Sequence, residues 1–484
     1  MKLLKHFLLS VACVVWAWCL AGVTEAAVGE EDRQRILASI DARQSEYAAL
    51  ARRIWELAEL GYQEEHSAAA LQKVLREAGF ALEAGVAGMP TAFVATAGAG
   101  KPVIGVLAEF DALPGLSQAA VPERKPIARG EPGHACGHHL FGTASVAAAV
   151  AVRDWLHTHE HPGTIRLYGT PAEEGGAGKV YMTRAGLFDD VDVVLHWHPS
   201  DRNKAGAATT LANKSAKFRF HGHSVHAAFA PHRGRSALDG VEAMNYMVNL
   251  LREHVEEEAR LHYVITHGGL APNVVPEFAE VFYYVRHVDG RRVEETWQRV
   301  VAAAEGAARG TGTRMEYEVI HGIHSLLPNE VLARLVDTNL RRIGGVTYTE
   351  EEQRFALALQ ETLGETPLPL GSQQDVQPFA FQVRRSSTDV GDVSWMVPTA
   401  GFSTATWVPG TPAHSWQAVA AGGMSIGVKG MLVAAKTLAL TAIDLLIRPE
   451  VIQQAWTEFE ERRGTDFQYR PLLGDRAPPL DYRR

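Results

Sequence analysis

The chain has 484 residues, with 47 basic and 56 acidic side chains and a formal net charge of −9, and is long enough for two domains with cores of their own. Charges of both signs are mixed along it, which excludes the basic footprint of a nucleic-acid-binding surface. Past the N-terminal stretch no segment reads as long and apolar enough to span a membrane, so no stable membrane insertion is expected.

Lys2 and Lys5 precede an uncharged apolar stretch over residues 7–23, and small residues follow at Ala26 and Ala27. This order predicts a signal peptide over residues 1–26 and a periplasmic or secreted protein. Cleavage removes Cys13 and Cys19 and leaves Cys136 as a lone thiol. A lone cysteine forms no internal disulfide, and a metal that holds it as thiolate explains its presence in an oxidising compartment.

Apolar residues from Ile36 to Leu60 recur at helical spacing, and a second helix is predicted over about residues 65–78 before Gly79 stops it. Residues 103–108 form a continuous apolar run, as a buried parallel strand does, and end in Glu109-Phe110-Asp111. Chemistry in α/β sheets sits at the carboxyl ends of strands, which makes Asp111 a candidate site residue. In Gly133-His134-Ala135-Cys136-Gly137-His138-His139 the glycines permit a turn that aims Cys136 and His138 at one metal ion. A buried helix is predicted over residues 140–156. A strand over residues 164–170 runs into Pro171-Ala172-Glu173-Glu174-Gly175-Gly176, and another over 191–195 runs into His196-Trp197-His198. Three successive strand ends therefore deliver acids or imidazoles. Metal-assisted hydrolysis needs ligands that leave a position open and a base for the water. One of Glu173 and Glu174 can ligate while the other takes the proton.

From about residue 214 to 327 the pattern becomes β-α-β-β-α-β, the ferredoxin-like plan, at a size suited to an inserted domain. The α/β pattern then resumes, with helices over residues 331–342 and 351–362, a strand over 401–407 and a long apolar helix over 427–446. The expected fold is α/β, a catalytic domain in two parts (residues 27–213 and 328–450) interrupted by the insert (214–327). Residues 451–484, rich in Arg and Pro, read as a surface tail.

His134-Ala135-Cys136-Gly137-His138, Pro171-Ala172-Glu173-Glu174 and the insert's Gly222-His223-Ser224-Val225-His226-Ala227-Ala228 resemble the aminoacylase and carboxypeptidase-like binuclear metallopeptidases, in particular their amidohydrolase branch. Residues 387–395 and 411–416 resemble the p-aminobenzoyl-glutamate hydrolase group of that branch. The resemblance implies a zinc-peptidase-like catalytic domain with two divalent ions, zinc or manganese. Cys136 would bridge them, and His138, Glu174, His198 and His414 would complete the ligand set. It implies Glu173 as general base, Asp111 as the residue that orients a ligand and Asn273 as a substrate contact. It further implies a homodimer in which His226 reaches the partner's site and stabilises the oxyanion. The implied reaction is hydrolysis of N-acyl or N-aroyl amino acids. A dipeptidase acting on unblocked dipeptides would use the same ligands, whereas an inactive binding protein would not need them intact. His139 stands where many members of the branch have Asp, and it reads either as a residue that supports a ligand from behind or as a packed one. Asp392 and Trp395 are expected near the pocket, with Trp197, Trp407 and Trp416 as further candidates for an apolar wall.

Overall fold

The computed structural model describes residues 29–364 and 368–483, so the expected signal peptide lies outside the described residues. Helices Glu30–Ala42 and Gln44–Leu57 are separated by a break at Arg43, which shifts the apolar spacing so little that the sequence reads as one helix. Helix Glu65–Glu77 follows the expected turn.

The strands in chain order are β1 (Ala81–Ala84), β2 (Phe93–Ala99), β3 (Val103–Ala108), β4 (Gly163–Gly169), β5 (Val193–Ser200), β6 (Lys204–Ala205), β7 (Ala208–Thr209), β8 (Ala212–His221), β9 (Arg260–His267), β10 (Phe278–His287), β11 (Arg314–Ile323), β12 (Gln382–Val383) and β13 (Thr399–Ala405). The main sheet has the order β1-β2-β4-β3-β5-β13-β6. Its central neighbours β4, β3, β5 and β13 run parallel, and β1, β2 and β6 pair antiparallel at its sides. Every residue of β3 is buried, as its unbroken apolar sequence requires.

β5 departs from expectation. It does not stop at Leu195 but continues to Ser200, because β13 pairs with it as far as Ala405 opposite Ser200. His196 and His198 therefore share one face of a strand and Trp197 takes the other. Helix His138–Thr158 packs on β3, β4 and β5, and helix Ser425–Ile447 packs on it and on β13. Contrary to the sequence reading, Ser425–Ile447 is long and apolar enough to cross a membrane, but 89% of its most apolar window is buried inside the protein. It is apolar all round because it is a core helix.

The insert follows the expected element order: β8, helix Ala237–Leu251, β9, β10, helix Gly290–Thr311 and β11. Its sheet has the order β11-β8-β10-β9, antiparallel throughout. Phe218, Phe220, Val241, Met244, Tyr283 and Trp297 belong to a hydrophobic core separate from that of the main sheet.

The surface-tail expectation is wrong. Helix Pro449–Arg463 buries Val451, Ile452, Ala455 and Phe459, and the residues after it return across the body with Leu472 and Leu473 buried. A few apolar side chains among many Arg and Pro carry this packing, and composition conceals them.

Candidate metal centre

The centre forms where the ends of β3, β4 and β5 meet the N-terminus of helix His138–Thr158. Gly137 precedes that helix with φ +79°, and a Cβ there would lie 2.6 Å from Pro199 Cβ, so only glycine lets this turn close on the end of β5. The close approach leaves Cys136 Sγ 3.4 Å from His198 Nε2. His198 donates from Nδ1 to its neighbour's carbonyl, Pro199 O, at 2.8 Å, which leaves the Nε2 lone pair facing the sulfur.

Asp111 acts through both oxygens. Oδ1 accepts from His138 Nδ1 at 2.8 Å, and Oδ2 accepts from the Glu174 amide at 2.9 Å. The Glu173-Glu174 loop is bracketed by Ala172 at φ +57°, a conformation that costs energy for a non-glycine residue and turns the chain out of its extended path. As a result Glu173 and Glu174 do not splay to opposite sides, and their oxygens lie within 4.8 Å of each other and of a His138 nitrogen. His414, also left-handed at φ +60°, donates its backbone amide to Ala135 O and reaches Glu174 Oε1 at 3.2 Å through Nε2.

Two sets of donor atoms result. Cys136, His138 and His198 form one, Cys136, Glu174 and His414 the other, and within each set the atoms lie within 4.8 Å of one another. Three buried atoms in this region, His138 Nε2, Glu109 Oε2 and Glu174 Oε1, make no well-formed hydrogen bond: His138 Nε2 and Glu109 Oε2 only face each other at 3.1 Å, and Glu174 Oε1 has only the His414 approach. Polar atoms orphaned in this way fit a site built to hold cations.

The electrostatics agree. Burial pushes the Cys136 thiol well above its usual range, and the Glu174 charge pushes it further. Burial also raises Glu173, aided by Glu109. Burial alone would raise Asp111, but the charge and hydrogen bond of His138 hold it low. His198 is pushed down to about 4 by burial and is neutral near pH 7.

Sequence reasoning missed the buried ion cluster behind the base. Lys179 is fully buried and pairs at 2.7 Å with Glu109 Oε1 and at 2.7 Å with Asp389 Oδ1, while its amide donates to Asp389 Oδ2. Oxygens of Glu109, Glu173 and Asp389 lie within 4.8 Å of one another. The available signal was a lysine directly after the glycine loop and at the head of the apolar stretch Val180-Tyr181-Met182. Arg384 was missed as well. Burial lowers its pKa, it makes no ion pair among the described residues, and it lines a cleft with His196 and His198.

His226 and Asn273 are not brought to the centre. They lie exposed on the insert, joined through Ala227 N and Asn273 O at 2.9 Å. His226 Nδ1 accepts from the amides of Ala228 and Phe229, so its Nε2–H is the outward donor. His134 and His139 are packing residues that donate to Ile54 O and Gly422 O, with rings 4.9 Å apart. Asp392 and Trp395 do not shape the pocket. Asp392 binds His324 N and the Tyr469 hydroxyl, and the Trp395 indole binds Ser325 O. Trp197 and Trp407 are buried in the core, which removes them as an acyl-pocket wall, and Trp416 is half-buried against that core.

Residues 212–311 match the model of a peptidase dimerisation domain of M20 type. The chain is 41% identical over 467 residues to one of the p-aminobenzoyl-glutamate hydrolase subunits of Escherichia coli, covering 91% of this chain and 97% of that one. The chain belongs to the M20 family. It is also 30% identical over 455 residues to the Xaa-Arg dipeptidase of Mus musculus, covering 91% of this chain and 94% of that one. Its fold is similar to a dinuclear metal-binding peptidase of the M20 family from Bacillus subtilis, with TM-score 0.59, 18% identity and coverage of 84% and 99% of the two chains. It is similar to an aminobenzoyl-glutamate utilization protein from Klebsiella pneumoniae, with TM-score 0.58, 18% identity and coverage of 85% and 97%. This M20 protein is a metal-dependent amidohydrolase, with an α/β catalytic domain and a donor set suited to two ions.

Replacing Lys179 with Met leaves Glu109 and Asp389 buried without their cation, and urea titration should show a loss of about 3–5 kcal/mol in unfolding free energy. Acidification should shrink that loss. Burial already raises Asp389 to about 6, so the folded chain takes up a proton there while the unfolded carboxyl stays ionised. Stability from this group therefore grows as pH falls through the folded value, and the gain is larger once Lys179 is gone. An equal deficit at about pH 8 and about pH 5 would contradict this account.

Proposed function

We propose that the chain hydrolyses the amide bond of N-acyl or N-aroyl amino acids with a free α-carboxylate, as a homodimer that holds two divalent ions, zinc or manganese, in each subunit. The observation that carries the reading is the pair of donor sets that share Cys136 Sγ. Cys136, His138 and His198 would hold one ion and Cys136, Glu174 and His414 the other, with the sulfur between them. When bound, the ions polarise the amide carbonyl and acidify a water. Glu173 takes the water's proton and delivers it to the leaving nitrogen. Asp111 fixes the His138 ring and the Glu174 peptide, which is the support that keeps ligands in register.

The name of the Escherichia coli relative supports an aroyl amino acid as substrate. Arg384 is the cation we assign to the substrate carboxylate, since it lines the cleft next to His198 without a protein partner among the described residues. The strand order β11-β8-β10-β9 supports reading the insert as ferredoxin-like. Exposed Tyr246 and Leu250 on its helix, and Val264 and Ile265 on the edge strand β9, support that edge of the insert as the dimer interface. From there the His226 Nε2–H would reach the partner's site and donate to the developing oxyanion. The N-terminal sequence supports export to the periplasm or outside the cell. The name of the Mus musculus relative favours a second reading, hydrolysis of unblocked dipeptides at the same centre.

A matched panel of N-aroyl amino acids, their α-carboxamides and unblocked dipeptides tests the substrate. The free-carboxylate aroyl compounds should be turned over best, and Arg384→Met should raise KM for them while leaving the carboxamides unchanged. Preference for dipeptides would replace this reading with the second one. Glu173→Gln should keep its metal and lose roughly 10² or more in kcat, while metal loss in that variant would exchange the roles given to Glu173 and Glu174.

His226 should act only across the dimer. Mixing inactive Glu173→Gln subunits with inactive His226→Ala subunits should restore part of the activity, because one composite site then has both groups. Mixed dimers that form and stay inactive would remove His226 from the partner's site.

A further inference from the structure

The segment after helix Pro449–Arg463 touches three parts of the molecule in sequence. It starts on the return from the insert, where Phe467 stacks on Trp395 at 4.6 Å and the Tyr469 hydroxyl donates to Asp392 Oδ1 at 2.8 Å. Asp392 Oδ2 in turn accepts from the His324 amide just past β11, and the His324 ring donates to Arg470 O at 2.9 Å. Leu472 then packs into the insert's core and Leu473 into the main core, so adjacent residues bridge the two. Arg476 donates at 2.6 Å to each of Val319 O and Ile320 O. Those carbonyls lie where the pairing of β11 with β8 shifts register between Val319 and His321. A bulge frees backbone groups from the ladder, and Arg476 caps them.

The far end of the segment reaches the metal centre. The Tyr482 hydroxyl donates to Glu174 O at 3.1 Å, and the Arg483 guanidinium donates to the same carbonyl at 2.8 Å. The Tyr482 ring stands edge-on to Tyr62 at 5.7 Å, and the Tyr62 hydroxyl donates to Gly176 O at 2.7 Å. A Cβ on Gly61 would lie 2.3 Å from Tyr482 Oη, so the turn before Tyr62 is shaped to admit that hydroxyl. The Glu174 peptide is therefore clamped on both sides, its N–H by Asp111 and its carbonyl by Tyr482 and Arg483.

We propose that residues 464–483 form a strap that positions the Glu173-Glu174 loop and ties it to the return strand of the insert, with Tyr482 and Arg483 as positioning residues for that loop. The inference rests on the roles proposed above for Glu173 and Glu174. Without the strap, Asp111 alone fixes the Glu174 peptide, and the loop between Ala172 and Gly176 gains freedom where its carboxylates must stay in register.

Hydrogen–deuterium exchange on the full chain, read over residues 170–178, needs neither substrate nor metal. Tyr482→Phe combined with Arg483→Ala should speed exchange there by roughly tenfold or more, the scale of one or two lost hydrogen bonds. The same variant, titrated with zinc against a chromophoric chelator, should bind zinc roughly tenfold more weakly. On the substrate that the parent cleaves best, kcat should fall while KM holds, with the melting temperature nearly unchanged. Tyr482→Phe alone keeps the ring against Tyr62 and should give a smaller effect in the same direction. Arg476→Ala, in the middle of the strap, should loosen residues 170–178 as well as β11. Unchanged exchange over 170–178 in the double variant overturns the strap, and so does faster exchange with unaltered zinc affinity. Loosening confined to β11 in Arg476→Ala overturns the tie to the insert. If the parent itself bound no zinc, the reading of the centre would fail while the exchange data still judged the strap.

Discussion

A buried crowd of acidic groups has to be balanced by cations or held protonated, and this requirement organises the catalytic domain. Glu109, Asp111, Glu173, Glu174, Asp389 and the Cys136 thiol converge where three parallel strands end. Each buried charge costs several kcal/mol unless it is paired. The protein meets part of this cost itself, with Lys179 between Glu109 and Asp389 on one side and His138 against Asp111 on the other. What remains without a full countercharge, at the sulfur that His198 faces and at the Glu174 oxygen that His414 approaches, lies where the two donor sets overlap. The orphaned atoms and the shared sulfur are thus two aspects of one design.

The same requirement accounts for the local strain. Ala172 and His414 hold left-handed backbone, and Gly137 allows a contact with Pro199 that no side chain would permit. Each of these brings a donor into a small volume that a regular strand or helix would keep apart. Conformational energy is stored at the centre and offset by the buried sheet and the helix pair around it.

How much of this was legible in the sequence depended on the range of the cause. The six-residue apolar run of β3 is a local signal, and it puts Asp111 just past that strand, where its carboxylate accepts from His138. Cys136, His138, Glu173 and Glu174 were legible because glycine loops at strand ends announce them. The length of β5 was not, because its last residues are held by β13, which is some two hundred residues away in the chain. Lys179 was hidden because a single lysine in a helix ordinarily points to solvent, and only its tertiary partners show otherwise. Asp392 was expected near the pocket, whereas its carboxylate fastens the His324 backbone and Tyr469, partners that lie far along the chain. The C-terminal segment was missed altogether, because Leu472 and Leu473 are two apolar residues in a stretch whose composition reads as solvated.

The central claim is that Cys136 lies between two metal ions. Anomalous diffraction from crystals of the zinc-loaded protein, collected at the zinc absorption edge, tests it directly. The account predicts two anomalous peaks per subunit, one among Cys136, His138 and His198 and the other among Cys136, Glu174 and His414, with the sulfur bonded to both. A single peak, or two peaks of which only one contacts Cys136, would contradict it.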